Sequence, residues 1–250
     1  MMTNILVIDV RDQAVPDTAI NAISREELQA LKAQAMMAEK GGRRFSVRVS
    51  VTGGYVEAAQ LQAIAALAER FGAGSVHLTT RQGVEIPHVP YENLESLRTA
   101  LDEAGLTLAP AGKCVRSIIA CPGSHCLHGS IDSQGLARKL HERVGHRKGL
   151  PHKFKIAVSG CPNGCTKPQE NDLGIMGRGK KLVVFVGGKM GKQPRLADPL
   201  PLEIGDEAHL LRIVEAAIDW FAAEGQPAER FGATIDRVGL DSLVRHLAAI

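Results

Sequence analysis

The chain has 250 residues, 44% of them hydrophobic and 23% charged, with a formal net charge of +3. That is enough chain for a buried core in one large or two small domains, with the composition of an ordinary globular protein. No stretch approaches the roughly eighteen apolar residues that span a bilayer, and the opening MMTNILVIDVRD lacks the basic region of a signal peptide, so a cytoplasmic location without membrane insertion is expected.

In chain order, residues 1–42 read as an N-terminal extension made of a strand, a loop and a helix. Ser24 with Glu27 three residues on is a capping signature, EELQALKAQAMMAEK continues as a helix, and Gly41-Gly42 ends it. Residues 43–108 then follow the order strand, helix, strand, strand, helix. FSVRVSV alternates as a half-buried strand does. AAQLQAIAALAERFG is an amphipathic helix with Leu61, Ile64, Ala65 and Ala68 on one stripe. SVHLTTRQGVEIPHV reads as two strands around Gln82-Gly83, and YENLESLRTALDEAG as a second helix. This order predicts a ferredoxin-like α+β sandwich.

Residues 109–250 read as an α/β unit. SQGLARKLHERVG is a helix, PHKFKIAVSG a strand running into CPNGC, and KKLVVFVGG a continuous apolar strand covered on both faces. DEAHLLRIVEAAIDWFAAEG is the longest helix signal, and LDSLVRHLAAI closes the chain.

Five cysteines form an odd set unsuited to a disulfide framework. Cys121 and Cys126 frame Pro-Gly-Ser-His, and Cys161 and Cys165 frame Pro-Asn-Gly. Structural zinc sites mostly use the tighter C-x2-C knuckle. A cubane cluster presents its irons at separate corners, so wider spacings in Pro/Gly loops beside strand ends point to a [4Fe-4S] cluster. Cys114 reads as a small buried residue. His125, His128 and His152 read as polar loop groups.

Charge is uneven. From Arg138 to Arg195 there are fourteen Lys or Arg and three acids, a segment charge of +11 that leaves −8 for the rest of a chain totalling +3. Such a surplus implies an anionic partner. With only Phe154 and Phe185 available there for base stacking, a small oxyanion or a polycarboxylate cofactor fits better than nucleic acid.

Several segments, taken in order, resemble the siroheme-containing sulfite and nitrite reductases: FSVRVSVTGG, LTTRQGVEI, KCVRSIIAC, LPHKFKIAVSGCPNGC, ENDLGIMG as a following loop, and RFGATIDRVG. The resemblance covers roughly residues 43–245. It implies a ferredoxin-like half-domain followed by a siroheme and [4Fe-4S] domain. It also implies six-electron reduction of sulfite to sulfide or nitrite to ammonia, sulfite slightly preferred. Cys121, Cys126, Cys161 and Cys165 would hold the cluster, with Cys165 shared with the siroheme. Arg48, Arg81, Lys153 and Lys155 would face the substrate. Arg116, Thr80, Gln82 and Asn163 would contact the tetrapyrrole.

Arg48, Lys153 and Lys155 sit at alternate strand positions, so the bland alternative is a solvated face. The family's first cysteine pair is separated by five residues, and here by four. Its best-known members carry two copies of the reductase unit, and here there is one. The resemblance therefore implies a homodimer or hetero-oligomer, with electrons from a ferredoxin or a reductase subunit. Two other readings stay open at this point: an enzyme similar to precorrin-3B synthase, and a [4Fe-4S] electron-transfer subunit without siroheme.

Overall fold

The computed structural model describes residues 23–41 and 43–250. The expected first strand near the N-terminus and Gly42 lie outside these residues.

Helix α1 (Arg25–Ala33) begins where Ser24 Oγ accepts the Glu27 N–H at 3.1 Å. It is shorter than the sequence pattern suggests. The chain turns at Ala35 (φ +71), and Met36–Ala38 forms strand β1 instead. The reason is tertiary: Met36–Ala38 pair antiparallel with Phe45–Val47 of strand β2 (Arg44–Val49), and sheet pairing overrides helix propensity.

Helix α2 (Ala58–Phe71) follows, then the short strand β3 (His77–Leu78), strand β4 (Val84–Pro90) and helix α3 (Leu94–Glu103). The sheet order is β1-β2-β4-β3, antiparallel throughout, with both helices packed on it as the ferredoxin-like pattern predicts. The buried stripe of α2 is Ile64, Leu67, Ala68 and Phe71; Leu61 and Ala65, expected on it, are exposed.

The second half is built on a five-stranded mixed sheet. Its strands are β5 (Ile119–Ala120), β6 (Ile156–Ser159), β7 (Leu173–Arg178), β8 (Lys181–Val186) and β9 (Asp198–Pro199), side by side in that order. The first three run parallel and the last two antiparallel. Helices α4 (Ser133–Val144), α5 (Glu207–Glu224), α6 (Phe231–Val238) and α7 (Leu240–Leu247) complete the unit. Among the described residues no helix is long and apolar enough to cross a membrane.

Two expectations need correction here. ENDLGIMG, expected as a loop, contributes β7, the central strand. Its glycines mislead because they serve close approach: a Cβ on Gly174 would lie 2.3 Å from Pro168 O, and one on Gly177 2.6 Å from Gly160 O. The segment PHKFK, expected as strand, stays irregular up to Ile156. The N–H of Lys155 donates to the Asp172 carboxylate at 2.8 Å rather than to a neighbouring strand.

Candidate functional site

The cysteines sit where β5 and β6 end. These strands are parallel neighbours, so Cys121 and Cys161, each just past a strand end, emerge at the same edge of the sheet. The Gly160 N–H donates to Cys121 Sγ at 3.0 Å, and Ser133 Oγ lies 3.5 Å from the same sulfur. Amide donors of this kind stabilise a thiolate. Cys121 and Cys161 are buried, whereas Cys126 and Cys165 are exposed at the tips of their loops. Cys114 is buried away from them, its thiol 3.6 Å from Pro110 O and its pKa pushed up by burial. Among the described residues, no three His, Cys, Asp or Glu side chains converge as ligands of a single metal ion.

Beside the cysteine edge lies a cavity of about 260 Å³, lined among others by Arg48, Arg81, Arg116, Lys153 and Lys155. All five basic residues singled out in the sequence meet there. The KFK segment shows how. Phe154 is fully buried, with ring centroids 5.0 Å from Phe231 and 5.8 Å from Phe221. Burying the middle residue of an extended stretch turns its two neighbours to the opposite face, into the cavity.

Arg48 comes from β2 and pairs with Glu85 across the sheet, where His77 Nδ1 also meets the second carboxylate oxygen at 2.8 Å. Arg116 donates to the Pro110 and Gly112 carbonyls, both at 3.3 Å. Arg81, on the turn between β3 and β4, donates to Asn171 Oδ1 at 2.9 Å, Ser117 O at 2.7 Å and Ile156 O at 3.1 Å. These three bonds fix its guanidinium across the boundary between the halves.

The cations strain one another. Burial, with Arg81, Lys153 and Arg230 nearby, pushes Lys155 down to about 8. Burial also lowers Lys153 and Arg116, each further depressed by neighbouring cations. Arg81 falls to about 10 by burial, against the pull of Asp172 and with the push of Arg116 and Arg230. Clustered, partly dehydrated positive charges of this kind are relieved by an anion.

A second cavity, of about 290 Å³, adjoins the first and shares Thr80, Arg81 and Lys155 with it; Cys165, Gln82 and Asn171 line its other side. The donor set fits a polycarboxylate ring between the basic cluster and Cys165. The Nε atoms of Arg81 and Arg116 are buried without a hydrogen-bond partner, cations crowd one wall, and an exposed thiol stands on the other.

Gln82 and Asn163, also expected to contact a cofactor, stand at different places: Gln82 lines the second cavity. The amide of Gln82 is engaged by the Ala120 backbone, donating at 2.8 Å and accepting at 2.9 Å. Asn163 is exposed and lies outside the residues lining either cavity.

Asp172, Arg230 and Asn171 were not singled out in the sequence. Asp172 is fully buried and receives Arg230 Nη2 at 2.7 Å while holding the Lys155 backbone. The signal was an Asn-Asp pair directly before an apolar run, and the arginine that opens RFGATIDRVG.

The comparisons agree with this architecture. Two family models match, the nitrite/sulfite reductase ferredoxin-like half domain over residues 37–104 and the nitrite and sulphite reductase 4Fe-4S domain over residues 111–249. The coenzyme F420-dependent sulfite reductase of Methanocaldococcus jannaschii is 38% identical over 126 residues, 50% of this chain and 20% of that protein. The nitrite reductase [NAD(P)H] large subunit of Klebsiella oxytoca is 33% identical over 205 residues, 80% of this chain and 21% of that protein. The solved structure of the Mycobacterium tuberculosis NirA protein superposes with a TM-score of 0.80 at 21% identity, over 91% of this chain and 47% of that one, which shows a shared fold. The chain thus spans from 15% to about half of the length of the curated relatives it matches. With a 4Fe-4S domain model covering more than half its length behind a matching half-domain, the chain belongs to the nitrite and sulfite reductase family.

Proposed function

We propose that the chain reduces sulfite to sulfide or nitrite to ammonia, sulfite slightly preferred, with siroheme beside a [4Fe-4S] cluster. One observation carries this reading: Arg81 and Lys155 line both the cavity that gathers Arg48, Arg116 and Lys153 and the cavity that holds Cys165. An oxyanion site and a thiolate site are thereby adjacent. Cys121, Cys126, Cys161 and Cys165 are the proposed cluster ligands, Cys165 being the one shared with the tetrapyrrole.

When bound, the siroheme and cluster would supply stepwise electron delivery to the substrate, chemistry that no side chain can supply. The chain's own residues do the rest. Arg48, Arg81, Lys153 and Lys155 hold the anion through charge-assisted hydrogen bonds and stabilise oxygen leaving as water. Arg116, Thr80, Gln82 and Asn163 contact the tetrapyrrole, Asn163 from the loop carrying two of the proposed ligands. Gln82 also braces the strand that leads into Cys121.

Electrons come from a partner protein, a ferredoxin or a reductase subunit. The names of the two relatives, one F420-dependent and one an NAD(P)H enzyme's large subunit, support donors that differ between family members. Two chains paired as a homodimer, or a hetero-oligomer with the donor, complete the assembly in the cytoplasm; a fully active monomer excludes the homodimer.

Anaerobic purification followed by an absorption spectrum, acid extraction of tetrapyrrole and an iron and sulfide assay tests the proposal. Siroheme with four cluster irons is expected. Cluster iron without any tetrapyrrole, in protein made with siroheme supplied, overturns it.

A further inference from the structure

Reduction that releases oxygen as water consumes at least one proton for each electron. The cations of the basic cavity can donate protons, and each proton given must be replaced from outside. Ser117 lines that cavity. Its Oγ lies 3.3 Å from Ser50 Oγ, and Ser50 Oγ lies 3.2 Å from His146 Nε2. Ser50 and His141 also line a separate, open cavity of about 430 Å³. A continuous line of exchangeable protons therefore links two cavities through the wall between the halves.

Two further observations mark this line. His146 has φ +57, the left-handed region that non-glycine residues adopt uncommonly. His141 packs edge-on against His146 with ring centroids 5.0 Å apart, and its Nδ1 is buried without a partner. Buried polar atoms without partners are exceptions in folded proteins.

We propose that His146, Ser50 and Ser117 form a proton relay from the open cavity beside His141 into the basic cavity. The inference rests on the reductase reading above. In one passage the Ser117 hydroxyl proton goes to an oxygen of the bound anion. Ser117 takes the Ser50 proton, and Ser50 takes the Nε2 proton of His146. Solvent returns a proton at Nδ1, and exchange between the ring nitrogens restores the starting tautomer. One proton moves inward, no electron moves, and the three residues end unchanged.

The groups bearing on His146 are His141 from α4 and Arg116 from the stretch before β5. Together with burial, they hold its pKa down to about 4. The imidazole is therefore neutral at neutral pH, with one ring nitrogen carrying a proton and the other free to accept one, as a relay requires.

The test uses the cofactor-loaded protein with reduced methyl viologen as donor and sulfite, then nitrite, as substrate. Ser117→Ala and Ser50→Ala are expected to lower turnover about tenfold with little change in KM, and to raise the solvent deuterium isotope effect. Ser117→Thr, which keeps the hydroxyl, restores both. A second readout is ¹⁵N NMR of the purified protein: His146 stays neutral from about pH 6 to pH 8, and Ser50→Ala changes its tautomer balance.

An unchanged rate and isotope effect in siroheme-containing Ser117→Ala protein would overturn the relay and leave the reductase reading standing. Loss of the reductase reading shows differently, as protein that takes up no tetrapyrrole at all.

Discussion

Gln82 and Ala120 exchange two hydrogen bonds across the boundary between the halves: the amide Nε2 donates to Ala120 O at 2.8 Å, and Ala120 N–H donates to Oε1 at 2.9 Å. β5 is an edge strand, and its next residue is Cys121. The Gln82 side chain thus does for that edge what a neighbouring strand would do. The Gly53 N–H does the same for Ile118 O at 2.8 Å. The ferredoxin-like half therefore fixes the strand that presents the first cysteine.

Gln82→Leu leaves the Ala120 N–H and C=O without these partners. At about 1–3 kcal/mol for each of the two unsatisfied groups, the loss should reach roughly 2–6 kcal/mol in denaturant unfolding. Iron retention during purification should fall with it. Gln82→Glu keeps the acceptor and should lose less.

Cys165→Ser and Cys121→Ser should each lower iron and acid-labile sulfide together, because a cubane loses stability with any thiolate. Cys114→Ala should leave both unchanged, since that thiol is buried away from the loops with Pro110 O as its neighbour. Metal analysis of the three variants side by side decides whether Cys121 and Cys165, and not Cys114, belong to the ligand set.

On the proposed function, Lys155 makes oxyanion affinity depend on pH. Its pKa of about 8 means that the ammonium is lost as pH rises through 8, so sulfite affinity measured by calorimetry should fall roughly tenfold or more between pH 7 and pH 9. The stability of the anion-free protein runs the other way. The unfolded chain holds this proton more tightly, so unfolding free energy should rise with pH from about 8 up to the ordinary lysine range. In Lys155→Met both pH steps attributable to this residue should vanish, and sulfite affinity at pH 7 should already be low.

Asp172→Asn should destabilise the protein by about 3–5 kcal/mol in urea unfolding, because it leaves Arg230, itself largely buried, without its countercharge. The same variant should loosen Lys155, whose backbone Asp172 holds, and so weaken anion binding as well.

Much of this was legible in the chain itself. The βαββα order of residues 43–108 follows from alternating and amphipathic periods. The cysteine spacing and the basic surplus pointed to a cluster and an anion. What failed did so for stated reasons: Met36–Ala38 became a strand because an open sheet edge was available, and β7 looked like a loop because its glycines make room for Pro168 and Gly160.

By itself the sequence determined which chemical groups are present and the local periods that place them on strands, helices and loops, since these depend on neighbours a few residues apart. Only the tertiary structure decided which cations face one another, that Gln82 binds the Ala120 backbone, and that Ser50 stands between Ser117 and His146. Such contacts join residues 38 to 96 positions apart, and their energies depend on burial and mutual charge that no local pattern carries.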